Sequence, residues 1–238
     1  MLWALIRKDA RLLRIYLRSA AATTVACYLF MGVLATILTT YQDPAMQAAT
    51  TRALMILAGG SNFGFSATAF FAALLAGSVF TLERSDRSAE FLACLPPTRL
   101  QNLASKLAVV LGTVGAMIVV HLLTNLVAHQ IVPFVPAGSF ARNGLADALG
   151  LLIFCAVIVS MVGGAFVVSA SLNSNGVPVL CGLLTPLLVL SLISLVGWAL
   201  EVPSEGDAFQ LRFATSSMVL GTIFAYIGCY WYLTRSEP

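Results

Sequence analysis

Apolar stretches without a single Asp, Glu, Lys or Arg alternate along this chain with short segments that gather the charges. The charge-free stretches are Ser19 to Gln42, Ala53 to Leu82, Leu107 to Ala141, Ala148 to Leu200 and Phe213 to Thr234. A charge at a bilayer centre costs about 2.5–3.5 kcal/mol on insertion scales, so such stretches mark what lipid accepts. A spanning helix needs about 20 apolar residues, and the fourth stretch has room for two. Asn173-Ser174-Asn175-Gly176 and Pro178 divide it, a cluster of turn formers that halts a helix. The pattern predicts an all-α integral membrane protein: one transmembrane domain over 1–238, with six spans near 19–40, 62–82, 107–132, 148–171, 178–200 and 213–233. Residues 45–58 read as a short outer helix ahead of the second span. Pro186 interrupts the fifth, as a structural kink or as a hinge. Ser160 with Gly164, and Gly221 with Ala225, have the spacing at which membrane helices pack closely.

Two polar elements carry most of the remaining information. In Leu2 to Arg18, Arg7, Arg11, Arg14 and Arg18 recur at helical spacing while Leu2, Leu5, Ile6, Leu13, Tyr16 and Leu17 gather opposite them. This predicts an N-terminal amphipathic interfacial helix over 1–18, about 25 Å long at 1.5 Å per residue. Its arginines would face the anionic headgroups of membrane lipids, or the element is a plain basic anchor that sets orientation. The second element is the segment 83–99. Glu83 with Arg87 is an i,i+4 pair and Arg87 with Glu90 an i,i+3 pair, while Phe91, Leu92 and Leu95 make a small apolar ridge that Pro96-Pro97 ends. Thr98 to Gln101 then fits a capping box, so the third helix starts outside the membrane and enters it past Lys106. A merely solvated loop needs neither ridge nor break, so something docks there.

Composition sharpens this picture. The chain is 59% hydrophobic and 10% charged, with a mean hydropathy of +0.93, against about 25% charged in soluble domains. A net charge of +3 gives no support to nucleic-acid binding. Position matters more. With the N-terminus inside, ten of the thirteen Lys and Arg fall on the inner side, leaving Arg52, Arg142 and Arg212 outside, a positive-inside bias that puts both termini in the cytoplasm. Tyr41 and Trp198 near outer ends, and Tyr230, Trp231 and Tyr232 near the inner end of the last span, agree with these edges. The five cysteines (Cys27, Cys94, Cys155, Cys181 and Cys229) form no CxxC pair and read as small hydrophobes.

Chemistry-bearing motifs are absent from the sequence. It has no GxxxxGK[ST] phosphate loop and no HExxH; its two histidines, His121 and His129, lack an acid or Cys beside them to complete a metal site. No catalytic residue, metal or cofactor is expected, and the chain does not read as an enzyme. The spans hold no carboxylate or cation of the kind proton-coupled carriers use. What remains is a polar strip on the third helix, His121, Thr124, Asn125 and His129, with Asn62 beside Ser61 at the start of the second span. Such groups either hydrogen-bond between helices or line a path.

The layout and the string from Glu83 to Lys106 together resemble the type-2 class of ABC exporter permeases. That string runs Glu-Arg-x-Asp-Arg-Ser-x-Glu-Phe-Leu-x-x-Leu-Pro-x-x-Arg with a later Lys. The resemblance implies that the segment is a coupling helix seated in a separate ABC ATP-binding subunit, and that two permeases join two ATPases. Glu83, Arg84, Asp86, Arg87, Glu90, Phe91, Leu95, Pro96 and Arg99 would then face the ATPase, and the strip would line the path at the interface with a second permease copy. It implies a bacterial cytoplasmic (inner) membrane. The segment 201–212 departs from the family, whose members often place re-entrant helices there. Two other classes fit the pattern without an ATPase: a non-transporting scaffold that recruits cytoplasmic proteins, and an ion-coupled carrier holding its ion by backbone carbonyls.

Overall fold

The computed structural model describes residues 2–41, 49–82, 98–134, 147–172, 176–200 and 206–234, and these are helical almost throughout. Helix α1 (Leu2–Leu12) leads through Leu13 into α2 (Arg14–Tyr41). The Leu13 amide donates to the Asp9 carbonyl and the Leu17 amide to the Leu13 carbonyl, each at 3.0 Å, so backbone bonding continues across the junction. Then come α3 (Ala49–Ser78), α4 (Arg99–Ile131) with a 3-10 turn at Val132–Phe134, α5 (Ala148–Ser171), α6 (Gly176–Ala199) and α7 (Asp207–Thr234). Helices α2 to α7 are each long and apolar enough to cross a membrane, which fits a membrane location. Successive helices run antiparallel. One end of the bundle therefore holds α1, the C-terminal ends of α3, α5 and α7, and the N-terminal ends of α2, α4 and α6.

Local chemistry sets several helix ends. Thr98 accepts from the Gln101 amide while the Gln101 side chain accepts from the Thr98 amide, both at 3.3 Å; this capping box satisfies two otherwise orphaned donors. Asp147 accepts from the Gly150 amide at 2.7 Å to start α5. Leu172 turns extended after α5, and α6 begins at Gly176, so the break falls within the turn-forming cluster. Gly206, with φ at +83°, precedes α7 in the left-handed region that glycine enters without steric cost.

The second spanning helix differs from expectation. α3 is continuous from Ala49, so residues 49–58 are its first turns and not a separate outer helix. Gly59-Gly60 lies within α3 and serves helix contact: a Cβ on Gly59 would strike the Met31 side chain, and one on Gly60 the Tyr28 ring. Similarly, α7 starts at Asp207, ahead of the charge-free stretch, and carries Arg212.

Packing centres on α5. Gly163 meets the backbone of Gly221 on α7, where a Cβ on Gly221 would lie 2.6 Å from the Val159 carbonyl oxygen; Gly164 meets Thr185 on α6. Without water to drive apolar association, membrane helices gain from such close van der Waals approach. The main apolar core lies at the α1 end and joins Leu13, Leu75, Val79 and Phe80 to Leu103, Val110, Ile158 and Phe166. α2 packs chiefly against α3 and shows Val25, Leu29, Phe30 and Val33 on its exposed side. Gly221→Val is expected to force α7 away from α5 and cost about 1–3 kcal/mol. Gly112→Ala, where a Cβ meets nothing within 4 Å, should be neutral or stabilising. Melting of the detergent-solubilised variants measures both.

Candidate functional site

At the α1 end a formal ion pair is buried inside the bundle. On a 100°-per-residue wheel Asp9 falls opposite Arg7, Arg11, Arg14 and Arg18, in the middle of the apolar side made by Leu5, Ile6 and Leu13. That side packs on the protein: Leu5 and Leu13 are buried, and Ile6, Ala10, Tyr16 and Leu17 lie against the main core. Asp9 is 3% exposed and Lys106 on α4 is 0% exposed, with Nζ to Oδ1 at 3.6 Å. Ser105 Oγ donates to Asp9 Oδ2 at 2.5 Å, and Lys8 Nζ lies 3.3 Å from Oδ1. Lys106 Nζ also donates to the Val79 carbonyl at 3.4 Å and sits 5.8 Å from the centroid of the Phe80 ring, within cation–π range.

Desolvating either charge alone costs several kcal/mol, which only a partner with further hydrogen bonds offsets. The arrangement supplies both. It joins α1, the end of α3 and the start of α4 through one cluster. Neighbouring groups extend it to α7: Phe80 stacks on Tyr232 at 4.6 Å, Asn102 Nδ2 donates to Tyr232 Oη at 2.8 Å, and Arg99 Nη1 donates to the Leu233 carbonyl at 3.4 Å. The charge pattern counts Lys106 among the inner-side cations; the fold instead turns it inward, on the face of α4 that also buries Leu103 and Val110.

Toward the other end, His121 on α4 is fully buried between α2 and α3. Its Nδ1 is 2.8 Å from Tyr28 Oη, its ring stacks on Tyr28 with centroids 5.8 Å apart, and Phe65 lies 5.6 Å away. The imidazole rests on Gly64, where any Cβ would collide with it. His121 Nε2 has no hydrogen-bond partner among the described residues. Asn125, one turn on, is buried with it.

The predicted strip is thus divided. His121 and Asn125 point into the protomer, Thr124 is half-buried and donates to the Val120 carbonyl at 2.8 Å, and His129 is exposed. Asn62 is half-buried on α3. Arg7, Arg11, Arg14, Arg18 and Arg99 are exposed at the α1 end. The coupling residues Glu83, Arg84, Asp86, Arg87, Glu90, Phe91, Leu95 and Pro96 lie outside the described residues. Two functional candidates went unread in the sequence. Asp9 had a signal, since an acid in the middle of an apolar helix face requires a partner. Tyr28 had none, because only the fold brings it to a histidine on α4.

Compared with known proteins, the chain matches no family model, no curated protein and no solved structure.

A double-mutant cycle of Tyr28→Phe and His121→Leu should give a coupling near the membrane-protein average of about 0.6 kcal/mol and below about 1.7. Thermal melting of the single and double variants reads it; additive effects would show that the 2.8 Å contact contributes nothing.

Proposed function

We propose that this chain is the membrane-spanning permease of an ATP-driven exporter of the type-2 ABC class. It works with a second permease copy and with separate ATP-binding subunits, in a bacterial inner membrane with both termini cytoplasmic. One observation carries the reading: the distribution of charge. On α2 to α7 every Asp, Lys or Arg among the described residues lies within the first three turns of its helix, and the buried Asp9–Lys106 pair sits beside the ends that lead into and out of residues 83–97. A carrier driven by protons wants ionisable groups at mid-membrane depth. Here the formal charge is at the periphery, and a chain without a phosphate loop needs its motive force delivered by a partner.

In this reading the ATPase engages Glu83, Arg84, Asp86, Arg87, Glu90, Phe91, Leu95, Pro96 and Arg99. Force applied there reaches α3 through Val79 and Phe80, and α4 through Lys106. The exposed arginines of α1 and α2 face inner-leaflet headgroups. His129, Thr124 and Asn62 are the strip residues open enough to meet a passing solute, while His121 and Asn125 fasten α4 to its neighbours.

Arg87→Glu reverses a charge on the proposed docking surface and should leave insertion intact while abolishing co-purification of the ATP-binding subunit. The measurement is the ratio of ATPase to permease after affinity capture, and an unchanged ratio overturns the docking assignment.

A further inference from the structure

The outward side of α2 carries an apolar groove of about 810 Å³, lined by Val25, Leu29, Gly32 and Val33 with Tyr28 and, from α3, Ile56. That is the size at which small-molecule sites are built, about 300–1,000 Å³. Val25, Leu29 and Val33 are exposed, and at Gly32 a Cβ would meet nothing within 4 Å among the described residues. The groove is therefore an open trough, deepest where α2 has no side chain.

Two cations head it. On a wheel of 100° per residue Arg14, Arg18 and Gly32 all fall within about 20° of Val25, and both arginines are exposed. Neither meets a carboxylate among the described residues, because the acid at this end, Asp9, is turned inward to Lys106. Ala21 and Ala22, also exposed, keep the surface between arginines and groove low. Along the axis Arg18 stands about 21 Å from Gly32. One leaflet's share of the hydrocarbon is about 15 Å and its headgroup layer about 5–7 Å, so the two features span one leaflet.

Cations at headgroup depth above an apolar trough one leaflet long complement a particular ligand. A soluble anion would gain the charges and leave the trough unused. A zwitterionic lipid would fill the trough but bring its own cation against the arginines. An anionic phospholipid satisfies both, with a phosphate that the guanidinium fork binds through paired hydrogen bonds.

We propose that Arg14, Arg18 and the α2 groove form a binding site for one anionic phospholipid, its phosphate on the two guanidiniums and an acyl chain laid along Val25, Leu29 and Gly32. The site rests on the permease reading for the choice of leaflet alone, which that reading makes the inner one.

The test uses the full chain in an uncharged detergent, stripped of lipid and titrated with phosphatidylglycerol or with phosphatidylcholine of the same chains, the lipid-bound species being read by native mass spectrometry. The first phosphatidylglycerol should bind at least about tenfold more tightly, since each cation near the surface favours anionic lipid about fivefold. Arg14→Gln combined with Arg18→Gln should abolish that preference. Arg7→Gln combined with Arg212→Gln removes the same charge at exposed positions away from the groove and should keep it. Gly32→Leu narrows the trough where the chain lies and should weaken both lipids at least about threefold. Equal affinity of wild type for the two lipids, an equal loss in the Arg7 and Arg212 variant, unchanged affinity in Gly32→Leu, or displacement of the lipid by excess inorganic phosphate overturns the site. Should Gly32→Leu fail to fold, wild type decides with a phosphatidylglycerol carrying a diazirine at mid-chain: cross-links are expected between Val25 and Val33, and none there overturns the proposal. No ATP-binding subunit is in the sample, so an unchanged ATPase ratio for Arg87→Glu would end the docking assignment without altering these affinities, and a lost lipid preference would leave that assignment standing.

Discussion

Asp9 and Lys106 lie out of reach of water, where each charge needs the other and the hydrogen bonds around them. That requirement places α1. An amphipathic helix with an acid in the middle of its apolar side is poorly suited to resting that side on lipid, and here the side lies against α3 and α4 with Leu5 and Leu13 buried beside the acid. The arginines are turned outward as a consequence. The same cluster takes in the Val79 carbonyl and the Phe80 ring, so the turn that follows α3 and the first turns of α4 share one anchor. Through Tyr232 it reaches α7.

The remainder of the bundle is held by a different means. α5 approaches α6 and α7 through glycines, and stability there comes from close van der Waals contact. α2 stands apart from this tightly packed part. It touches chiefly α3, and its polar tie to α4 is Tyr28 to His121. The buried imidazole has room only because Gly64 has no side chain, and its Nε2 is a desolvated polar atom of the kind that costs about 1–3 kcal/mol when unmatched.

Much of the architecture was legible because lipid imposes a one-dimensional rule: charge is excluded over about 20 residues at a time. The 148–171 helix coincides with the sequence reading, and Thr98 begins α4 with the capping box its neighbours spell. The reading of a separate outer helix over 45–58 does not hold for residues 49–58, which are the first turns of α3. Glycine in a membrane helix often marks where a neighbour presses close, and Tyr28 and Met31 do so at Gly59-Gly60. Of the candidate polar strip, helical spacing alone put four residues on one side of α4. It could not separate His121 and Asn125, which turn inward, from His129, which does not, because that division depends on where α2 and α3 lie.

From the sequence by itself follow the helical class, the number of helices fit to span, the interruption near residue 175, the one-sided arginines and the absence of a phosphate loop, each a consequence of local composition or a repeat of about 3.6 residues. Only the tertiary structure decided that Asp9 meets Lys106, that Tyr28 meets His121, and that Gly163 faces Gly221. Those pairings join residues far apart along the chain, and periodicity carries no information about which face of one helix will find which face of another.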